Sequence, residues 1–219
     1  MMKESIKAYL FDFDGTLVDS MPVWRDKMFR LLHLQKITPP EGLLRQITPL
    51  GDLGTIRYYR EHFALNMTDE EMFDEMDAYA LPRYRDEIPA KSGVEEYLQE
   101  LQRQKAGIYL LTASPRKMFL PCLERLGLLR FFTSTWSCED FHTVKSTQER
   151  YRMAAEKMGV SIHEIAFFDD NKVALETAKK AGTYTVGVYD ETSEADESEI
   201  RRMADEYIHS FRELLPAMV

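Results

Sequence analysis

The stretch Phe11-Asp12-Phe13-Asp14-Gly15-Thr16-Leu17-Val18-Asp19 decides the fold, together with the apolar residues just before it. The run Ala8–Phe13 is short, almost wholly apolar and followed by polar residues, which predicts a strand buried on both faces. The carboxylates of Asp12 and Asp14 stand where this strand ends, and Gly15 permits the turn that must follow. Because open parallel sheets bind ligands at the carboxyl ends of their strands, this junction is the first candidate site.

Three further apolar runs have the same character and alternate with helical patterns. They are Gly107–Leu111, Ile165–Phe168 and Tyr184–Val188. Apolar residues recur at helical spacing between them, for example over Val94–Leu101 and over Ala174–Ala181. This alternation predicts a parallel sheet with helices on both faces.

One region interrupts the alternation. From Met21 to about Ile88 the sequence carries helical patterns and no convincing strand, and Pro39-Pro40 punctuates it. The simplest account is a helical subdomain inserted after the first strand. The predicted fold class is therefore α/β, with a Rossmann-like parallel-sheet core over residues 1–20 and 87–219 and an inserted α-helical subdomain over 21–86.

A second pair of acids follows another predicted strand. The run Phe167-Phe168 ends in Asp169-Asp170-Asn171. Like charges held close together are unfavourable unless a cation or a shared proton offsets them, and a hard divalent cation prefers oxygen ligands. If the two acid-bearing strands are neighbours, their four carboxylates can converge on one metal ion.

The middle strand ends in Leu111-Thr112-Ala113-Ser114-Pro115. This pattern predicts that Ser114 caps the next helix, with Pro115 at its first position. Such a helix start presents free N–H groups to an anion, and Thr112 adds a hydroxyl. Lys145 then lies in a polar stretch ahead of the helical pattern that includes Tyr151.

Composition limits the possible functions. The chain has 219 residues and a formal net charge of −9. An acidic chain of this kind lacks the basic surface expected of a nucleic-acid-binding protein. No stretch approaches the ~18 apolar residues of a membrane span, and the N-terminal apolar run is too short for a signal-peptide core. Cys122 and Cys138 are expected to be reduced, mostly buried thiols. We expect a cytoplasmic protein, with no protein partner implied, and the acidic run Asp190–Glu199 is interpreted as a solvated loop and helix start.

These features, in this order, resemble the haloacid dehalogenase-like hydrolase superfamily. Asp12-Phe13-Asp14-Gly15-Thr16 is similar to its first motif, Thr112 to the second, Lys145 to the third and Asp169-Asp170 to the fourth. The helical insert is similar to the cap of the subgroup that contains phosphoglycolate phosphatases and beta-phosphoglucomutases. The sequence departs from the pattern after Lys145, where both usual prolines are missing, and at Asn171, where serine is commoner.

The resemblance implies a phosphatase that uses Mg²⁺ and acts on a small phosphorylated metabolite. Asp12 would attack the phosphorus and become an aspartyl-phosphate, and Asp14 would serve as general acid and base. Magnesium would be held by Asp12, the backbone carbonyl of Asp14 and Asp170. Asp169 would contribute directly or through a water molecule. The residues implied for binding the phosphoryl group are Thr112, Ala113, Ser114 and Lys145.

Several related activities fit the sequence less well. Receiver domains place their paired acids first and the phosphorylated aspartate mid-chain, and P-type pumps need membrane spans. Dehalogenases lack the acid found here at Asp14, and phosphonatases use a cap lysine, whereas no lysine lies between Lys36 and Lys91. Beta-phosphoglucomutases carry a histidine early in the cap, where this chain has Met21-Pro22-Val23-Trp24. A sugar-phosphate mutase and a non-catalytic phosphometabolite-binding relative remain the alternative hypotheses.

The inserted subdomain offers no readable code for the substrate. Its arginines and aromatic residues can meet an anion or line a pocket, but cap packing and solvated helix faces explain them as well. These residues are Arg45, Arg57, Arg60, Trp24, Tyr58, Tyr59 and Phe63.

Overall fold

The protein is described by a computed structural model that covers residues 5–141 and 147–216. The chain divides into two compact units. The sheet unit comprises Met1–Asp19 and Pro89–Val219, and the helical unit comprises Ser20–Ile88.

The sheet unit is built on a six-stranded sheet. Its strands are β1 (Ala8–Phe11), β2 (Gly107–Thr112), β3 (Ser134–Ser137), β4 (Ile165–Asp169), β5 (Tyr184–Val188) and β6 (Glu206–Ile208). They lie in the order β3-β2-β1-β4-β5-β6, and every pairing is parallel. In this register Phe11 lies opposite Leu110 on one side and Phe168 on the other. The predicted α/β fold with a Rossmann-like parallel sheet is confirmed.

Helices account for most of the remaining described chain. They are α1 (Met21–Leu34), α2 (Leu43–Ile47), α3 (Gly51–His62), α4 (Asp69–Asp86), α5 (Val94–Arg103), α6 (Arg116–Arg125), α7 (Gln148–Met158), α8 (Lys172–Ala181) and α9 (Glu197–Met203). Short 3-10 turns lie at Thr48–Leu50, Leu129–Phe131, Cys138–Phe141, Ile162–Glu164, Glu191–Asp196 and Phe211–Leu214. Within the described ranges, none of these helices has the length and apolar character needed to cross a membrane.

All four predicted strands are present, but two others were not predicted. Strand β3 has the sequence STWS and is mostly half-buried, and β6 is a three-residue edge strand, so neither carries a long apolar run. The predicted strand Ala8–Phe13 ends early, at Phe11. The chain turns there because the carbonyl of Phe13 accepts hydrogen bonds from the amides of Leu17 and Val18, at 2.9 and 3.2 Å.

Apolar packing on both faces explains why the central strands are so hydrophobic. On one face Phe11 stacks on Phe168 with ring centroids 4.5 Å apart, and Tyr97 of α5 packs edge-on against Phe11. On the other face Leu10 and Phe167 belong to a buried cluster that includes residues of α7 and α8. Each large side chain buried in this way contributes about 1.5–3 kcal/mol to stability. This packing therefore stabilises the central strands whose carboxyl ends carry the acids.

The helical unit has its own core. Buried apolar residues of its four helices pack together; among them are Met28, Leu31, Leu32, Leu43, Ile47, Ile56, Tyr59, Met72 and Met76. The hydroxyl of Tyr59 donates to the carbonyl of Met28 at 2.8 Å. Helix α4 begins with a capping box in which Thr68 and Glu71 satisfy each other's backbone amides.

Candidate active site

Three acids converge at the carboxyl ends of β1 and β4. These strands are neighbours, and Asp12, Asp169 and Asp170 each offer a carboxylate oxygen, the three oxygens lying within 4.8 Å of one another. The side chains are nearly inaccessible to solvent, with relative exposures of 2%, 0% and 5%. The expectation that the two acid pairs meet is realised for these three residues, which we call the acid cluster.

Backbone geometry places each member of the acid cluster. The amide of Asp12 donates to the carbonyl of Phe168 at 2.9 Å, which carries the β1–β4 ladder one residue beyond β1. Asp169 is the last residue of β4, and its carboxylate accepts a hydrogen bond from the amide of Asn171 at 2.8 Å. Both acids are therefore fixed by the sheet itself rather than by a mobile loop.

Thr16 and Gly15 adapt the following loop to Asp170. The hydroxyl of Thr16 donates to Asp170 Oδ1 at 3.0 Å and accepts from the amide of Asp170 at 3.1 Å. Gly15 has a φ of +72°, and a Cβ added there would lie 2.7 Å from Asp170 Oδ2. Glycine is thus required twice, by its backbone conformation and by the close approach of the carboxylate. The quoted motif contained both residues, but sequence reasoning assigned no role to Thr16.

Asp14 lies beside the acid cluster in sequence and is half-buried. Its carboxylate accepts a short hydrogen bond from the hydroxyl of Ser114. Helix α6 begins at Arg116, with Pro115 as an N-cap that provides no side-chain hydrogen bond. The prediction that Ser114 caps this helix is therefore wrong, because its hydroxyl is directed to Asp14 instead.

Thr112 closes β2, the other neighbour of β1. Its hydroxyl accepts a hydrogen bond from the amide of Ser114 at 3.0 Å, and both side chains are buried. Ala113 lies between them and is exposed. Lys145, predicted as the remaining phosphoryl-binding residue, lies outside the described residues.

Two more residues at this edge have structural partners that the sequence did not reveal. Asn171 caps α8, and its side-chain oxygen accepts from the amides of Val173 and Ala174 at 2.9 and 3.2 Å. Asp190 was assigned to a solvated acidic run, yet it is only 5% exposed and pairs with Lys91. That interpretation is wrong for Asp190, and no local signal distinguishes it from its exposed acidic neighbours.

The donor set of the acid cluster suits a cation. Burying several carboxylates together is costly unless positive charge or protons compensate. All three groups offer oxygen ligands, which hard divalent cations prefer over nitrogen or sulfur. The acid cluster can therefore hold a metal ion.

The described thiol is unsuited to nucleophilic chemistry. Cys122 of α6 is a free, buried cysteine. Burial raises the pKa of its thiol to about 11, and the guanidinium of Arg125 offsets this only in part. The reactive form, the thiolate, is therefore scarce near neutral pH.

Of the three cations noted in the helical unit, Arg60 takes part in contacts within that unit. Arg60 forms an ion pair with Asp69 and also donates to the carbonyl of Met67 at 3.3 Å. Arg57 is exposed, and nothing is described of the side chain of Arg45. Lys27 is a buried cation of this unit, and its Nζ lies 2.6 Å from Asp52 Oδ2. Sequence analysis missed Lys27 because it directly follows Arg25-Asp26, a charged stretch that is typical of a solvated helix face.

Comparison with known protein families identifies the hydrolase family that the sequence resembles. The profile of the haloacid dehalogenase-like hydrolases matches residues 6–182. This match spans most of the chain, so the chain belongs to the haloacid dehalogenase-like hydrolase family.

Curated relatives and solved structures agree with this assignment. The chain is 28% identical to the validoxylamine A 7'-phosphate phosphatase of Streptomyces hygroscopicus subsp. limoneus, over 83% of this chain and 85% of that protein. It is 26% identical to the phosphoglycolate phosphatase of Escherichia coli K12, over 98% of this chain and 93% of that protein. A crystal structure of a predicted phosphoglycolate phosphatase from Haemophilus somnus 129pt superimposes with a TM-score of 0.79 at 20% identity, covering 97% and 98% of the two chains. The predicted family and enzyme class, a phosphoric monoester hydrolase, are confirmed.

Proposed function

We propose that this chain catalyses the Mg²⁺-dependent hydrolysis of a small phosphomonoester through an aspartyl-phosphate formed on Asp12. The observation that carries the proposal is the buried acid cluster at the ends of two neighbouring strands, with Asp14 next to it in sequence. Phosphoryl transfer requires a positioned nucleophile, an acid and base for the oxygens, and neutralisation of anionic charge. The chain supplies a candidate for each requirement.

Asp12 is the proposed nucleophile. Its backbone is held by β4, so its carboxylate meets the phosphorus in a fixed direction, which lowers the entropic cost of an in-line attack. Asp12, Asp169, Asp170 and the backbone carbonyl of Asp14 would hold Mg²⁺. When bound, Mg²⁺ would supply the positive charge that lets an anionic carboxylate approach an anionic phosphate.

Asp14 is the proposed general acid and base. It would protonate the leaving oxygen when Asp12 is phosphorylated and then take a proton from the attacking water. The hydroxyl of Ser114 donates a hydrogen bond to Asp14 Oδ2 and so restrains the position of this carboxylate. Ser114 thus contributes to orienting Asp14, in addition to its proposed place near the phosphoryl group.

The end of β2 supplies the proposed phosphoryl-binding residues. A hydroxyl has one donor hydrogen and can accept as well, so Thr112 can donate to a phosphoryl oxygen while accepting from the Ser114 amide. We place the backbone of Ala113 and the side chain of Lys145 with it, on the family pattern.

The helical unit is proposed to be the cap, over approximately residues 21–86. The named relatives act on phosphoglycolate and on validoxylamine A 7'-phosphate, both small phosphorylated molecules. We propose a substrate of that size class. A cap that covers the phosphoenzyme would exclude bulk water until the first step is complete.

The test compares the purified wild-type chain with Asp12→Asn. Both are assayed on an aryl phosphate and on a panel of small phosphomonoesters, with Mg²⁺ and with a chelator. Asp19→Asn is the matched control, because Asp19 is an exposed acid of the same loop. Acid-quenched wild-type protein is digested and searched by mass spectrometry for a phosphoryl group on the peptide that contains Asp12.

We expect Mg²⁺-dependent turnover that Asp19→Asn retains and Asp12→Asn lowers by at least about 10³-fold, the scale seen when a nucleophile is removed. Turnover that persists in Asp12→Asn would refute the assignment of the nucleophile. Turnover that appears only with a sugar bisphosphate and yields an isomerised sugar phosphate would replace hydrolysis by the mutase hypothesis. Binding without turnover across the panel would favour the non-catalytic relative.

A further inference from the structure

Both carboxylate oxygens of Asp170 meet a hydroxyl group. Thr16 donates to Oδ1 at 3.0 Å, and the hydroxyl of Ser193 donates to Oδ2 at 3.4 Å. The terminal torsion of an aspartate is broad, so a contact at one oxygen alone leaves the carboxylate plane loosely defined. Contacts at both oxygens define that plane, and they come from two different loops of the sheet unit.

The loop that carries Ser193 is organised by Asp190. Asp190 Oδ1 accepts from the amide of Thr192 at 3.0 Å and from its hydroxyl at 2.6 Å. The carbonyl of Asp190 accepts from the amide of Ser193 at 3.0 Å. Side-chain bonds of this kind fix a tight turn, so the place of Ser193 depends on the place of Asp190.

Lys91 holds Asp190 from the other side. Its Nζ lies 2.8 Å from Asp190 Oδ2 and 2.7 Å from the carbonyl oxygen of Tyr189. The two side chains are only 16% and 4% exposed, so this pair differs from the solvent-screened ion pairs of a protein surface. Lys91 is itself fixed to the loop after β1, because its amide donates to the carbonyl of Leu17 at 2.9 Å.

We propose that Lys91 and Asp190 are positioning residues which, through Ser193, set the Asp170 carboxylate for its metal ion. This inference rests on the proposed function, because it assumes that Asp170 binds Mg²⁺. Hydrogen-bonding partners that orient a metal-binding carboxylate typically change metal affinity 10- to 100-fold when removed. The side chain of Lys91 donates to Asp190 and to the carbonyl of Tyr189, and its effect on the ion is transmitted by the turn.

Simple electrostatics gives the opposite prediction, which makes the inference testable. Removing a positive charge near a cation site strengthens cation binding if charge alone decides. Loss of a positioning contact weakens it. The sign of the change in Mg²⁺ affinity therefore separates the two explanations.

The chain contains a matched control in Lys179. Its Nζ donates to the carbonyl of Met203 at 2.6 Å and to Asp205 Oδ1 at 3.1 Å, as Lys91 donates to a carbonyl and an aspartate. Asp205 in turn accepts from the amide and hydroxyl of Thr185 at 2.9 and 3.0 Å. This arrangement joins α8 to the segment before β6, so Lys179→Met reports the loss of a similar pair elsewhere in the unit.

The experiment measures Mg²⁺ binding by isothermal titration calorimetry, without substrate. The variants are Lys91→Met, Lys91→Arg, Ser193→Ala, the double variant Lys91→Met with Ser193→Ala, and Lys179→Met. Asp170→Asn, which removes the charge of one proposed ligand, gives the reference for a directly damaged site. Urea unfolding in a chelator identifies any variant that fails to fold. If Lys91→Met fails to fold, Ser193→Ala still decides the test, because it removes only a half-buried hydroxyl.

We expect Lys91→Met and Ser193→Ala each to raise the dissociation constant of Mg²⁺ roughly tenfold, the lower end of the range for such partners. Lys91→Arg, which keeps the charge and the donors, is expected to restore most of the affinity, and Lys179→Met to bind like the wild type. The double variant should fall within about twofold of the weaker single variant, because both changes remove the same contact.

Other outcomes contradict the inference in distinct ways. Wild-type affinity in Ser193→Ala, tighter binding in Lys91→Met, or multiplied losses in the double variant would each overturn it while leaving the proposed function intact. A wild-type chain that takes up no Mg²⁺ would overturn the metal-dependent function, and this inference with it.

Discussion

Gly15 is the position where one added methyl group should disable the site without unfolding the protein. In Gly15→Ala the new Cβ would lie 2.7, 2.8 and 2.9 Å from the Oδ2, Cγ and Oδ1 atoms of Asp170. Ordinary van der Waals contact begins at 3.4 Å, so the carboxylate must retreat by up to 0.7 Å. Sites that hold ligands tolerate errors of about 0.5 Å, which this displacement exceeds.

The stability cost has two parts. An L-residue in the left-handed region costs about 1–2 kcal/mol, partly offset because alanine restricts the unfolded chain. Displacing Asp170 also strains its two hydrogen bonds with Thr16, each worth about 0.5–1.5 kcal/mol. We expect Gly15→Ala to lower the free energy of unfolding by about 2–3 kcal/mol and turnover by about 100-fold, as misplacement of a reacting group does.

Gly159 provides the matched control. It also has a positive φ, +69°, and a Cβ added there would meet nothing within 4 Å. Gly159→Ala should therefore cost only the backbone part, about 1 kcal/mol, and leave Mg²⁺ binding unchanged. Urea unfolding in a chelator measures stability without the ion, and calorimetric titration with Mg²⁺ measures the site.

The decisive comparison is between the two alanine variants. If Gly15→Ala binds Mg²⁺ as tightly as Gly159→Ala and turns over at the same rate, the Asp170 carboxylate does not need the place that the structure gives it. The assignment of Asp170 to the metal would then be wrong. If Gly15→Ala and Gly159→Ala lower the free energy of unfolding equally, the loop accommodates the methyl group at position 15 without weakening the hydrogen bonds between Thr16 and Asp170.

Two further predictions concern single side chains. Thr68→Ala removes the capping box of α4 and should lower the free energy of unfolding by about 1 kcal/mol, whereas Thr68→Ser should not; equal urea midpoints for all three chains would contradict this. The pKa of Cys122 is raised from 9.0 to about 11 in the fold, so its contribution to stability is complete below pH 9 and is lost as pH rises through 11. Between pH 8 and pH 10 the wild type should lose about 1 kcal/mol more than Cys122→Ala, and parallel curves would show that the thiol is not buried.

The sequence predicted those parts of the fold that are encoded locally. A strand that is covered on both faces needs apolar side chains on both faces, so apolar runs such as Ile165–Phe168 predict buried strands. Strand β6 was missed because an edge strand of three residues needs no apolar run. The acid cluster was predictable as well, because its members follow two such runs directly and parallel strands end at a common edge.

Contacts between distant loops could not be predicted in this way. The local sequence Ser114-Pro115 is typical of a helix cap. In the fold, however, the Ser114 hydroxyl donates to Asp14, which follows the end of the neighbouring strand β1. Asp190 stands in an acidic run whose composition indicates solvent exposure, and its burial depends on Lys91, 99 residues away. The burial and contacts of Ser114 and Asp190 depend on partners that are distant in the sequence, and a single sequence does not indicate which residues those partners are.

Strand order explains why the site lies where it does. The sheet runs β3-β2-β1-β4-β5-β6, so the chain leaves β1 towards β2 on one side and leaves β4 towards β5 on the other. The connections diverge between β1 and β4, and this reversal leaves a crevice at their carboxyl ends. Asp12 comes from one side of the crevice, and Asp169 and Asp170 come from the other. Substitutions that keep the acids but weaken the β1–β4 pairing should therefore raise the dissociation constant of Mg²⁺ at the proposed site, as measured by calorimetric titration, because the strand order is what brings the acids together.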